Sequence, residues 1–347
     1  MIYTLILTRS LTPIEYGTWG LITNIFFYVL ILEPIVSYWT TREIARNNPV
    51  GKTAIFSSSI FSVGGIIMFV VIAFILSQNT DVDYSILILA VIIIPVIFLN
   101  RTLMAINFGW KPHVVSYGVI TLGIIQIPFS LVFVYYFEMG VPGIIFAAIA
   151  ANFASIIVLV ICARNIIKNK IKISYLKKWL GLFWLPTLYP GIYTLLVSFD
   201  VAVFSLITGT VYGLAFWMVA LAIPNMIAQA TSISKAVYPK LLGENKENYL
   251  TQNITLFFYF VIPLTALSIT FARPALFALN PIYEEAHIVV LFTSLFTLFS
   301  SISFISQLFL TGDETVDKEK SSFKNYIKSK LFFIPSILIL KNLLYLV

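Results

Sequence analysis

The stretch LTPIEYG, residues 11–17, opens a long apolar segment that ends in the basic sequence TTREIAR, residues 40–46. A weaker copy, ITGTVYG, occupies residues 207–213 and also opens an apolar segment, which is followed by SKAVYPK, residues 234–240. An aliphatic residue, a threonine, a tyrosine and a glycine recur at the same spacing in both motifs. Two such copies in one register predict a chain built from two related halves.

The composition indicates a membrane protein. Of the 347 residues, 59% are hydrophobic and only 11% are charged, whereas a soluble domain has about 25% charged residues. Many uncharged apolar runs reach the ~20 residues that a helix needs to span a bilayer. Because lipid offers no hydrogen bonds to the backbone, these runs must be helices. The sequence therefore predicts an all-α polytopic membrane protein.

About ten full spans follow a short first helix, in which only about eight apolar residues precede Arg9, too few to cross a ~30 Å hydrocarbon core. The other spans are predicted at residues 18–40, 54–77, 85–106, 114–137, 143–163, 179–205, 213–233, 254–272, 288–310 and 331–347. We expect residues 1–165 to form an N-terminal bundle of six helices. Residues 166–178 would be a basic linker, and residues 179–347 a C-terminal bundle of five helices.

The charges alternate between the two sides of the predicted membrane. Most lysines and arginines follow every second span, and the segment 164–178 is the most basic. By the positive-inside rule these loops, and the N-terminus, are cytoplasmic. Carboxylates occupy the opposite loops, at Glu15, Asp81, Asp83 and Glu138. The net charge of +7 therefore indicates orientation and attraction to anionic lipid, and not nucleic-acid binding.

Several short motifs resemble one family. LTPIEYG followed by an apolar helix and TREIAR is similar to the start of the prokaryotic oligosaccharide flippases of the polysaccharide biosynthesis family. These belong to the multidrug/oligosaccharidyl-lipid/polysaccharide exporter superfamily. Further family-like pieces are Asn100–Gly109, Asp200–Gly213, Tyr238-Pro239 and NPIYEEA at residues 280–286. The resemblance covers about residues 5–345 and implies two helical bundles around a central cavity, although the family usually has twelve to fourteen helices.

Motifs for enzymatic chemistry are absent from the sequence. There is no glycine-rich phosphate loop, no HExxH helix, no Cys/His metal cluster and no nucleophile elbow. The two histidines, His113 and His287, lie at predicted helix ends, where interfacial side chains are common. We expect a non-enzyme with no catalytic residue, no metal site and no cofactor.

Three arginines are candidate contacts for an anionic substrate group. Arginine stays charged and presents a bidentate fork that suits phosphate. Arg101, near the cytoplasmic end of its span, is the first candidate, and a snorkelling interfacial arginine is the alternative. Arg9 could contact a head group on exit or anchor its loop. Arg42 could contact substrate or act only as a topology charge.

Four further residues within the spans are candidates. Glu33 and Asp200 are intramembrane carboxylates, which are functional candidates by default. They could couple transport to protons or cations, pair with an arginine, or serve helix packing, and the resemblance implies an aspartate at position 200. Gln126 and Asn152 could bind sugars, or they could bond to neighbouring helices.

Three functions fit these features. The first is flipping of lipid-linked oligosaccharide, of polyprenyl or dolichyl phosphate type, by alternating access in a prokaryotic plasma membrane. The second is an ion-coupled multidrug-type antiporter, and the third is a non-transporting, truncated membrane scaffold. Membrane lipids are expected partners in each case, and glycosyltransferases or a polymerase are further candidate partners of a flippase.

Overall fold

The computed structural model describes residues 2–181, 183, 198–231, 246–312, 333, 336 and 337. In that part of the chain every regular element is a helix, and seven helices are long and apolar enough to cross a membrane. The all-α polytopic prediction is confirmed. The predicted span 331–347, the Tyr238-Pro239 motif and the basic loop before residue 331 lie wholly or mostly outside the described residues.

Eight helices precede the predicted linker. They are α1 (Ile2–Ser10), α2 (Pro13–Val29), α3 (Pro34–Ala45), α4 (Gly51–Asn79), α5 (Tyr84–Ala90), α6 (Ile93–Trp110), α7 (His113–Ser130) and α8 (Gly140–Ile167). A 3-10 turn (Leu30–Leu32) joins α2 to α3, and a π-helical turn (Leu131–Tyr136) extends α7.

The helices after α8 are more fragmented in the described residues. They are α9 (Ile173–Gly181), α10 (Ser198–Thr208), α11 (Tyr212–Ala222), α12 (Asn225–Gln229), α13 (Lys246–Thr270), α14 (Ala272–Leu279) and α15 (His287–Gly312). A 3-10 segment, Pro281–Ala286, precedes α15. The span predicted at 179–205 starts too early, because residues 179–181 belong to α9.

The chain divides into two compact units. One is Ile6–Ala215 with Ile2, and the other is Phe216–Val347 with Tyr3–Leu5. The first has a core around Leu21, Ile25 and Phe98, whereas the second packs around Phe257 and Val261. The predicted bundle boundary at 166–178 stays a prediction, since residues 182 and 184–197 lie outside the described part.

Prolines interrupt three of the predicted spans. A proline lacks the N–H that an α-helix needs, and its ring clashes with the carbonyl four residues earlier. The span predicted at 18–40 is therefore broken before Pro34, and the span predicted at 85–106 is broken at residues 91–92, before Pro95. The span predicted at 213–233 is broken beside Pro224. Pro263, by contrast, lies inside the continuous α13.

The LTPIEYG motif forms the start of α2. Thr12 caps the helix and accepts a hydrogen bond from the backbone N–H of Glu15, whose carboxylate in turn accepts one from Thr12 N at 2.9 Å. This is a capping box with Pro13 in the first turn, where a missing N–H costs nothing. Gly17 then lies against the main-chain carbonyl of Val211, within the second copy of the motif. The two copies therefore meet in the first unit.

Hydrogen bonds between loop segments occur at both ends of the helices in the first unit. At one end, Asp81 accepts hydrogen bonds from Thr210 Oγ1 at 2.7 Å and from Val211 N at 3.1 Å. At the other end, Lys172 N donates to Thr53 Oγ1 at 2.9 Å. In both cases, the two bonded segments are ones that the charge pattern assigned to the same side of the predicted membrane.

The close approach at Gly17 leads to a stability prediction. We expect Gly17→Ala to lower the free energy of unfolding by about 1–3 kcal/mol, because the new methyl group would overlap the Val211 carbonyl and force the backbone apart. Thermal unfolding of the purified protein in detergent measures this change, with size-exclusion chromatography used to monitor the folded fraction.

Gly123→Ala is the matched control, since a methyl group at Gly123 in α7 would meet open space. That substitution should leave stability unchanged or raise it by up to about 1 kcal/mol through helix propensity. Equal melting curves for the two variants would contradict the assigned contact at Gly17.

Candidate functional site

Glu33 lies at the break between α2 and α3. The 3-10 turn ends just before it, and its backbone N–H donates to the Leu30 carbonyl at 3.2 Å. Its side chain is only 6% exposed, and Ser37, one turn further along, is a hydrogen-bond partner of the carboxylate. The Oε1 atom has no hydrogen-bond partner. The break at Pro34 therefore positions a buried, incompletely satisfied carboxylate within a predicted membrane span.

Arg101 on α6 forms an ion pair with Glu33. Its Nη1 atom lies 4.0 Å from Glu33 Oε2, and its side chain is 45% exposed. The separation is at the outer limit of an ion pair, so the guanidinium retains donors for another group. The structure thus brings together the two charged residues that the sequence selected independently.

Polar side chains recur along α2 and α3 on both sides of Glu33. We call this set the polar track; its members are Asn24, Tyr28, Glu33, Ser37, Tyr38 and Arg42. They form three pairs spaced by four residues, 24/28, 33/37 and 38/42, and the two members of each pair lie on the same side of their helix. Asn24 is buried and its Oδ1 has no hydrogen-bond partner. The track extends the site along the length of the span.

Asp200 lies beside the polar track, on α10. The Tyr28 hydroxyl donates to the carbonyl of Ser198 at 2.7 Å, and the Asp200 carboxylate is close enough to act on that hydroxyl electrostatically. Asp200 is exposed. No hydrogen bond or ion pair between Asp200 and Arg101 or Glu33 occurs in the described residues, so Asp200 joins the site through Tyr28 alone.

Three of the four remaining cation and amide candidates are Arg42, Arg9 and Gln126. Arg42 donates to the Tyr38 hydroxyl at 2.7 Å and lies over its ring, 5.0 Å from the centroid. Arg9 is exposed in the last turn of α1. Gln126 is half-buried in α7, and no hydrogen bond links it to the polar track in the part of the chain that is described.

Asn152 takes part in a contact between α6 and α8. Its Oδ1 accepts from Asn100 Nδ2 at 2.7 Å, and its own Nδ2 donates to the Ala148 carbonyl at 2.8 Å. Ser155 donates to the Asn100 Oδ1 at 3.3 Å. These bonds use one acceptor site and one donor of the Asn152 amide and join it to α6 and to its own helix, so its geometry favours helix packing over sugar binding.

Sequence reasoning missed Asn24, Tyr28 and Tyr38. Each lies on the same helical segments as Glu33 or Arg42, at a spacing of four residues from another polar residue. That spacing was visible in the sequence and could have identified them. The partnership of Tyr28 with Ser198 joins residues 170 positions apart, and no local pattern indicates it.

A second charged pair, also missed, lies at the far end of α3. Glu43 Oε1 accepts from Lys178 Nζ at 2.9 Å, and Glu43 Oε2 accepts from Asn48 Nδ2 at 2.6 Å. Burial of Glu43 by itself raises the pKa of the carboxyl group. The hydrogen bonds from Lys178 and Asn48 and the charges of Lys178 and Arg46 outweigh burial, so the pKa of Glu43 is lowered overall. This pair fixes α9 to the end of α3.

Neither the protein-family models nor the curated proteins include a match to this sequence. Two solved structures do match. One is an inward-facing conformation of a multidrug resistance MATE family transporter of the MOP superfamily. It aligns with a TM-score of 0.67 and 16% sequence identity over 90% of this chain and 80% of its own chain. This chain has the MATE fold.

The second match is a crystal structure of MATE in the bent conformation, with a TM-score of 0.58 and 16% identity over the same shares of both chains. The aligned share, 90%, is larger than either compact unit, so the MATE likeness extends into both. The likeness to these structures agrees with the predicted all-α polytopic membrane fold. The oligosaccharide flippase family within the superfamily stays a prediction.

The Glu33–Arg101 pair predicts thermodynamic coupling. We expect Arg101→Gln to destabilise the protein more than the double variant Glu33→Gln/Arg101→Gln, because the single change leaves a buried carboxylate without its cation. A double-mutant cycle by thermal unfolding in detergent should give a coupling of about 1 kcal/mol. Arg164→Gln, an exposed arginine in the last turn of α8, is the charge-matched control, and additive effects would contradict the pair.

The Glu43–Lys178 pair predicts a pH dependence. Because the pKa of Glu43 is lower in the folded chain, the unfolded chain binds more protons, and the stabilisation is complete above the ordinary value of 4.5. It is lost as the pH falls through the lowered, folded value. The melting temperature of the native protein should therefore exceed that of Glu43→Gln at pH 7, and the difference should shrink below pH 4.5. Glu285→Gln, at an exposed site, should show no such trend.

Proposed function

We propose that this protein moves lipid-linked oligosaccharide across the plasma membrane of a prokaryote by alternating access. The MATE fold supports transport as the activity, since both matched structures are transporters. The choice of substrate rests on one observation, the half-exposed guanidinium of Arg101 beside the buried carboxylate of Glu33. Within the superfamily, we propose the oligosaccharide flippase family, which the LTPIEYG and TREIAR motifs resemble.

The substrate poses a physical problem that this arrangement answers. A polyprenyl or dolichyl phosphate sugar has an anionic group that must cross a region where an isolated charge costs several kcal/mol. An arginine held at that depth offers a bidentate contact for the phosphate. Tyr28 and Tyr38 lie on the same track, and a sugar that contacts their hydroxyl groups would replace the present bonds to Ser198 and Arg42. The lipid chains can remain in the bilayer during the movement.

The charges of Glu33 and Arg101 bear on whether the substrate is anionic or cationic. An exporter of cationic compounds needs a carboxylate whose charge is available to the substrate or to a coupling proton. Here Arg101 faces the buried oxygen Oε2 of Glu33 at 4.0 Å, so the pair is close to neutral and the exposed partner is the positive one. This favours an anionic substrate group.

The proposed orientation follows from the distribution of charges at the two ends of the first unit. Exposed Arg46, Lys52 and Lys111 occupy one end, whereas Asp81 and Asp83 occupy the other. We assign the basic end and the N-terminus to the cytoplasm. Enzymes that assemble the glycan, glycosyltransferases or a polymerase, are the partners that this function implies.

A multidrug antiporter is the second candidate. It is favoured by the first matched structure, which is a multidrug resistance transporter. Under this hypothesis Glu33 or Asp200 would bind the cationic substrate or the coupling ion, and Arg101 would only balance the charge of Glu33.

Transport assays on two variants separate the candidates. The protein is reconstituted in liposomes, and movement of a fluorescent lipid-linked oligosaccharide is compared with efflux of a cationic dye. For the flippase, Arg101→Gln should slow lipid-linked sugar movement by about tenfold or more, since a hydrogen bond to a charged group contributes about 1.5–3 kcal/mol. Arg101→Lys should recover part of the rate, and Glu33→Gln should retain more activity than Arg101→Gln.

The antiporter predicts the opposite pattern. Dye efflux would then stop in Glu33→Gln or Asp200→Asn and persist in Arg101→Gln. Gly123→Ala, in a helix position with open space around it, serves as the control for reconstitution. A native protein that moves neither substrate under any imposed ion gradient would contradict both transport functions and favour the scaffold.

A further inference from the structure

The segment that follows α8 presents two surfaces of different character. Residues 168–181 include five lysines among apolar residues, and their second part forms α9. One side of α9 packs on the first unit, and the other side is exposed. We define the linker surface as six exposed residues of this segment: Lys170, Ile171 and Lys172, which precede α9, and Ile173, Lys177 and Leu180 on its exposed side.

The packed side of α9 fixes the helix in place. Trp179 is fully buried and Tyr175 is half-buried against the same core. Lys178 is bonded to Glu43 at 2.9 Å, and the backbone N–H of Lys172 donates to Thr53 at 2.9 Å. These contacts determine which side chains remain outside, so the exposure of the linker surface follows from tertiary structure.

The linker surface combines apolar and basic side chains. Ile173 is 59% exposed, Leu180 is 46% exposed and Ile171 is 42% exposed. Ile173, Lys177 and Leu180 are spaced by four and three residues, so they share one side of α9. Lys170, Lys172 and Lys177 are exposed as well, and no carboxylate pairs with them in the described residues. The surface is therefore positively charged without compensation.

The position of this surface in the chain indicates what covers it. α8 is a candidate membrane span that ends at Ile167, so the linker surface begins at the membrane boundary. A helix with exposed aliphatic residues flanked by lysines is suited to the interface, with the apolar groups among the acyl chains and the lysines at the phosphates. Uncompensated lysines favour a negatively charged leaflet over a neutral one.

We propose that the linker surface binds anionic phospholipid headgroups of the leaflet next to the end of α8. The interaction holds the segment between the predicted bundles at the membrane surface while Trp179 and Lys178 hold it to the first unit. It is independent of the transported substrate, because none of the linker-surface residues belongs to the polar track.

A label at Ile173 tests the proposal in the full chain. Cys162 is the only cysteine in the sequence, so Cys162→Ser/Ile173→Cys gives a single site for an environment-sensitive fluorophore. The protein is placed in nanodiscs of pure phosphatidylcholine or of phosphatidylcholine with ~30% phosphatidylglycerol. The second composition resembles an anionic leaflet. The label should be better shielded from acrylamide in the anionic discs, and the difference should fall at high salt because the attraction is screened.

Charge variants test the headgroup contact directly. Phosphatidylglycerol retained per protein after purification from mixed lipid is measured by mass spectrometry. Lys170→Gln/Lys177→Gln should lower the preference for phosphatidylglycerol over phosphatidylcholine by about fivefold for each lysine. Lys52→Gln/Lys111→Gln removes the same charge from exposed lysines at the same end of the unit and should change the preference much less.

Two results would overturn the proposal. One is equal shielding of the label in neutral and anionic discs, which would show that the leaflet charge does not hold the segment. The other is equal lipid retention in the two double variants, which would show a general effect of protein charge. Both measurements are made without transport, so they are independent of the outcome of the flippase assays.

Discussion

Lipid supplies no hydrogen bonds, and this constraint governs the whole structure. A backbone or side-chain polar group inside the bilayer must find a partner in the protein or line a hydrated space. Long helices satisfy the backbone, and a proline inside a span creates a local exception. Pro34 has no N–H to donate to the Leu30 carbonyl, and a 3-10 turn supplies the N–H of Glu33 to that carbonyl instead. Glu33, a buried carboxylate with one oxygen that lacks a hydrogen-bond partner, lies at that exception.

The same constraint divides the polar residues of the spans into two groups. Asn100, Asn152 and Ser155 bond to one another, and buried Asn107 donates to the carbonyls of Leu103 and Leu159. These bonds hold α6 and α8 together, although the buried Asn107 Oδ1 has no hydrogen-bond partner. The second group is the polar track, where Asn24 Oδ1 and Glu33 Oε1 also lack a partner and where Glu33 lies beside the half-exposed Arg101. Open capacity at membrane depth is what a transporter needs for a polar substrate.

The sequence predicted the helical class and most spans, because hydropathy and helix length depend on local composition. It also selected Glu33 and Arg101, since charges in apolar runs are conspicuous. It did not predict the break before Pro34, nor the separate helix α9, whose Trp179 is fixed by packing with distant residues. The pairing of Tyr28 with Ser198 and of Glu43 with Lys178 also depends on contacts across more than a hundred residues. Such contacts arise from the tertiary arrangement and have no local signature.

The meeting of Gly17 with the Val211 carbonyl has a consequence for how this protein can change over evolutionary time. Most tight contacts join two side chains, so an enlarged residue on one helix can be accommodated by a smaller one opposite. Here the opposing group is a main-chain oxygen, which every amino acid possesses. No exchange at position 211 can therefore make room for a side chain at position 17. The two copies of the motif are thus tied, at this point, to a glycine that has no substitute.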